Sequence, residues 1–100
     1  MQLAGVWYTI ITMKVLILYR PHSEHGRTVE EYVHEFQTRN QGYRLEVIDV
    51  DTRDGSATAS LYDVLQYPAI LVTQDDGYLQ RCWLGDTLPL MDEVASYARV

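Results

Sequence analysis

The chain has 100 residues, 47% hydrophobic and 22% charged, the balance of one globular domain built on a single core. Eight lysines and arginines against 14 aspartates and glutamates leave a net charge of −6, which repels phosphate backbones and argues against nucleic-acid binding. The lone cysteine, Cys82, excludes an intramolecular disulfide and fits a reducing, cytoplasmic setting.

Residues 3–19 are mostly apolar, but Lys14 interrupts them and Thr9 and Thr12 weaken the run. No basic segment precedes it and no small-residue cleavage site follows, so a signal peptide is not expected. The uninterrupted stretch also falls short of the ~18 apolar residues a spanning helix needs, so no membrane partner is expected. Two readings of this end stand. The run Val6-Trp7-Tyr8-Thr9-Ile10-Ile11-Thr12 is β-branched and aromatic and suits an extra strand in an extension over 1–12. Alternatively, Met13 is the natural start and the domain is 13–100.

Residues 15–20 are a continuous run ended by Pro21, which predicts a strand buried on both faces. Val29, Tyr32, Val33 and Phe36 then recur on one helical face. That helix starts either at Thr28, with Thr28 and Glu31 as a capping box, or at Ser23, with Ser23 as the cap. It ends near Asn40-Gln41-Gly42, where Gly42 suits a left-handed cap. A second strand is expected over 45–50, parallel to the first because a helix connects them. Residues 57–65 read as a shorter helix with Leu61, Val64 and Leu65 inward, broken at Tyr67-Pro68. A third strand follows over 69–72, and Asp75-Asp76-Gly77 is a strong hairpin signal into an antiparallel edge strand over 78–84. Gly85-Asp86-Thr87 turns the chain into a last helix, with Pro89 in its first turn and Leu90, Val94 and Tyr97 or Ala98 inward.

This order, with Asp49-Val50-Asp51 after an apolar strand, Tyr62-Asp63-Val64-Leu65-Gln66-Tyr67-Pro68 before Ala69-Ile70-Leu71-Val72, and Asp76-Gly77 through Trp83-Leu84-Gly85, resembles the thioredoxin and glutaredoxin superfamily. The resemblance covers about residues 14–99. It implies an α/β, thioredoxin-like fold: a four-stranded mixed sheet flanked by three helices, with the extra N-terminal strand as an addition. The family's apolar helix positions fall six, nine, ten and thirteen residues after its first catalytic cysteine. Counting back from Val29, Tyr32, Val33 and Phe36 puts that cysteine's position at Ser23 and the second cysteine's at Gly26, so Ser23-Glu24-His25-Gly26 stands where the family has Cys-x-x-Cys. The Tyr19-Arg20-Pro21 lead-in also resembles that of glutaredoxins. A serine hydroxyl does not ionise as a thiol does and forms no disulfide, and glycine supplies no resolving thiol, so dithiol exchange is excluded on chemistry. Pro68 corresponds to the family's cis-proline, and the Tyr67 backbone before it to a short docking edge for an extended segment.

Sharper roles compete with plainer ones. Ser23 as a nucleophile would need a base, from His22 or His25, and an orienting group; capping is the plainer reading. Ser23 as an activator of bound glutathione resembles some glutathione transferases, but those enzymes need a second, helical domain. His22, Glu24 and His25 do not amount to a metal site, since His34, the other histidine, lies well along the helix. Arg20 and Arg27 read as surface arginines, or as an anion site with the helix N-terminus. Tyr67 and Trp83 are the aromatics placed for contact; Cys82 is a small strand residue.

The expected function is therefore a redox-inactive module that binds a protein or peptide, with no catalytic residue, no metal and no cofactor. Its binding region is His22, Ser23, Glu24, His25, Gly26, Arg27, Tyr67 and Pro68. The alternatives are a glutathione- or anion-binding glutaredoxin-like domain with weak or no catalysis, and an adaptor resembling the small thioredoxin-fold adaptor of the cyanobacterial clock.

Overall fold

The computed structural model describes residues 13–98, and the extra strand expected within 1–12 lies outside them. Strand β1 (Met13–Tyr19) is followed by helix α1 (Gly26–Arg39), β2 (Arg44–Asp49), α2 (Arg53–Leu61), β3 (Ala69–Gln74), β4 (Leu79–Leu84) and α3 (Met91–Ala98). The strands form one sheet in the order β2-β1-β3-β4. The β1–β2 pair is parallel and the other two pairs are antiparallel.

Strand β1 lies inside this sheet, and residues 15–19 are all buried. Successive side chains on a strand point to opposite faces. Val15, Ile17 and Tyr19 therefore meet Val29 and Phe36 of α1 and Val94 and Ala98 of α3 on one face. Leu16 and Leu18 meet Val50, Ala59 and Val64 on the other. The two faces together make a three-layer sandwich with helices on both sides of the sheet. At the hairpin, Gly77 takes φ +94°, a left-handed value that only glycine adopts without strain.

Five expectations about the helices are corrected. Helix α1 starts at Gly26, with His25 at the cap position making no side-chain cap bond, and neither Ser23 nor Thr28 caps it. The Ser23 hydroxyl donates instead to the Arg20 carbonyl oxygen at 2.6 Å, a local bond that outcompetes capping. The same helix ends through Asn40, whose backbone and side-chain N–H groups both donate to Phe36 O, while Gly42 is not left-handed. Helix α2 sits one turn earlier than expected, because the Thr52 hydroxyl accepts from Gly55 N–H at 3.0 Å and starts it there. Leu61 and Leu65, expected inward, are 74% and 88% exposed, and the buried residues of α2 are Gly55 and Ala59. Pro89 precedes α3, and Leu90 is 77% exposed, with Ala95 taking the inward place.

Tyrosine hydroxyls tie the layers together. Tyr32 donates to Pro89 O at 2.9 Å, joining α1 to the approach of α3, and Tyr62 donates to Gly77 O at 3.0 Å. Burial, with the Glu93 carboxylate beside it, pushes the Tyr32 phenol up to about 12. The folded state thus holds this proton more tightly than the unfolded chain does. The stabilisation is complete below pH 10 and is lost as pH rises from about 10 to about 12. Denaturant midpoints should fall across that window, and Tyr32→Phe should flatten the fall. The residual slope belongs to Tyr19, which burial and its bond to Glu30 shift the same way, and to the Cys82 thiol, which burial also raises. An unchanged slope in Tyr32→Phe would refute the assignment.

Candidate functional site

The strand register brings four chain segments to one end of the sheet. Tyr19 of β1 pairs with Asp49 of β2, Leu18 pairs with Ala69 of β3, and Ala69 pairs with Leu84 of β4. The turn over 20–25, the turn over 50–52, the segment over 62–68 and the turn at Gly85-Asp86 therefore converge there. The Tyr67–Pro68 peptide is cis. Gly85 N–H donates to Pro68 O at 2.9 Å, which fastens the last turn to the proline segment.

Arg20 joins these pieces. Its guanidinium lies 5.2 Å from the centre of the Tyr67 ring and pairs with the Asp51 carboxylate. Its backbone N–H donates to His25 Nε2 at 3.1 Å, which requires that nitrogen to be unprotonated. Its carbonyl accepts from both the Ser23 N–H and the Ser23 hydroxyl. The result is a tight turn over Pro21, His22 and Ser23 that closes onto the start of α1.

That closure leaves no room at position 26. A Cβ built on Gly26 would lie 2.9 Å from the Pro21 carbonyl carbon and closer still to its oxygen. Both atoms are backbone, so no rotamer change relieves the contact. The position that the resemblance matches to a second cysteine therefore takes a side chain only if the Pro21 backbone moves.

The expected site residues divide in two. Ser23, His25, Gly26, Tyr67 and Pro68 are linked through Arg20, Gly85 or the Pro21 turn. Glu24 and His25 line a shallow cleft of about 270 Å³ together with Thr28 and Asp86. His22 is exposed in the turn. Arg27 lines a separate groove along α1 with Glu30, Glu31, His34 and Glu35, away from the Arg20 contacts. Trp83, placed for contact by its position, packs edge-on against Tyr97 at 5.6 Å beneath Arg81. Burial pushes the Cys82 thiol up, so it is protonated at neutral pH.

Sequence reasoning missed Asp51, Leu65, Leu84 and Asp86. Asp51 reaches Arg20 across 31 residues, a pairing with no local signal. Leu65 and Leu84 matter because they are exposed, at 88% and 47%, beside the proline segment. The Gln66 side chain approaches Gly85, since a Cβ there would lie 3.7 Å from Gln66 Oε1. Among the described residues the Tyr67 main chain makes no hydrogen bond, and no helix is long and apolar enough to cross a membrane.

No family model and no curated protein sequence matches the chain. Solved structures do. A thioredoxin from Fasciola hepatica superposes with a TM-score of 0.72 at 16% identity, covering 88% of this chain and 82% of that one. Thioredoxin-2, described as a component of malaria parasite protein secretion machinery, gives 0.69 at 13%, covering 89% and 82%. Mitochondrial thioredoxin 3 from Saccharomyces cerevisiae gives 0.67 at 15%, covering 87% and 76%. The strand order, the two helical layers and these superpositions agree: the chain has the thioredoxin-like fold, in a variant without the Cys-x-x-Cys pair.

Proposed function

We propose that this protein is a redox-inactive thioredoxin-fold module, residing in the cytoplasm, that binds a protein or peptide in extended conformation. The observation that carries the reading is the Tyr67 main chain, unpaired among the described residues and flanked by the exposed apolar Leu65 and Leu84. An extended segment laid along it gains main-chain hydrogen bonds and covers apolar surface in one step. Ser23, Gly26 and Pro21 support the redox half of the reading. Ser23 has no thiol and its hydroxyl is committed to Arg20, while the Pro21 carbonyl fills the space over Gly26. Cys82 does not substitute for them, since its thiol is raised and it sits on β4, packed toward the α2 side of the sheet.

In an insulin reduction assay the purified protein should add nothing to the rate of dithiothreitol alone. Uncharged extended peptides added to isotope-labelled protein should shift the amide resonances of Leu65, Tyr67 and Leu84. Catalysis above the dithiothreitol rate, abolished by Cys82→Ser, would make Cys82 the active thiol and sink the proposal.

A further inference from the structure

We infer that the partner segment is basic: an extended stretch carrying lysine or arginine beside its apolar anchors. The inference rests on the docking reading above and specifies its occupant. Exposed Leu65 precedes the proline segment, and exposed Leu84 leads through Gly85, held to Pro68, to Asp86, which lines a cleft with Glu24 and His25.

Charge decides what suits this surface. Glu24 and Asp86 are exposed and form no ion pair among the described residues, whose four pairs lie elsewhere. Arg20, the cation beside the docking edge, is already paired with Asp51 and lies over the Tyr67 ring. Arg27 faces a groove with three glutamates. An approaching segment therefore meets apolar contact at one end and uncompensated negative charge at the other. The whole chain, at −6, adds a long-range field that draws cations and repels anions. The same field opposes a second copy of this chain as the occupant.

In an extended segment, alternate side chains project to the same face. A cationic side chain near the Glu24 and Asp86 cleft and an apolar one near Leu65 and Leu84 are thus compatible with one strand laid along Tyr67. Each exposed ion pair adds a modest preference, so removing both carboxylates should weaken binding by about three- to tenfold.

The test uses three blocked decapeptide pools with serine at every second position, the intervening same-face positions carrying leucine or valine in one half and lysine, glutamate or glutamine in the other, with glutathione as a fourth probe. Binding is followed through the amide resonances of Glu24, Tyr67 and Leu84. The lysine pool should bind tightest, weaken as salt is raised, and lose about three- to tenfold affinity in Glu24→Gln/Asp86→Asn. Both positions are exposed, so thermal unfolding of that variant reports that the fold is intact. Equal binding of the lysine and glutamate pools, or binding insensitive to salt, overturns the basic partner while leaving a docking surface. Tighter binding of glutathione or the glutamate pool assigns the surface to anions. Concentration-dependent shifts without peptide assign it to a second copy. Silence from every pool removes the docking reading as well.

Discussion

Replacing Gly55 with alanine should lower stability by about 2–4 kcal/mol, although alanine is the better helix former by about 1 kcal/mol. Gly55 lies in the first turn of α2, where a Cβ would sit 2.6 Å from the Asp49 carbonyl carbon and 3.0 Å from Thr52 Oγ1. The Asp49 carbonyl is held in place, since it accepts from the Thr52 N–H at 3.2 Å and the Thr52 hydroxyl at 2.7 Å. The added methyl must lift α2 away from the end of β2, and the Thr52 cap breaks with it. Because Asp51 lies within this turn, the change should also loosen its pairing with Arg20. Chemical denaturation measures the loss. A Gly55→Ala protein as stable as the parent would show that α2 does not pack against β2 as described.

Gly26→Ala should act the same way at the other turn, costing about 1–3 kcal/mol against the same favourable propensity. Thermal midpoints in a domain of this size move by roughly 4–8 °C per kcal/mol, so the loss is easily read. What distinguishes this site is locality. The displaced atoms belong to Pro21, so amide exchange should accelerate over 20–26, where Arg20, Ser23 and Gly26 donate within the turn. A stabilised Gly26→Ala protein would show that the turn stands clear of the helix, and position 26 would then have room for a thiol. The residues at positions 23 and 26 carry no thiol, and at position 26 the Pro21 backbone would have to move to make room for one.

The elements of this fold are local, and they were legible. The apolar run of β1, the helical spacing of Val29, Tyr32, Val33 and Phe36, and the turn at Asp75-Asp76-Gly77 each reflect interactions within a few residues. Helix ends were less legible, because several short side chains compete for the same backbone groups. Ser23 could cap α1, yet it bonds back to Arg20; Thr52 caps α2 a full turn before the apolar spacing suggests.

The candidate site divides along the same line. Ser23 and Gly26 identify themselves by their phase on the α1 pattern, and Pro68 by the segment before β3, so the missing thiols were evident from sequence alone. The character of the surface was not. Arg20 read as a surface or anion-binding cation, and only the fold brings Asp51 to neutralise it and Tyr67 beneath it. Leu65 read as core, and only the early end of α2 leaves it exposed. Asp86 read as a turn residue until the β4 register set it across a cleft from Glu24. The absence of a thiol is a property of single residues, which a sequence states directly; exposure and charge compensation are properties of pairs brought together across the chain, and only the tertiary structure decides them.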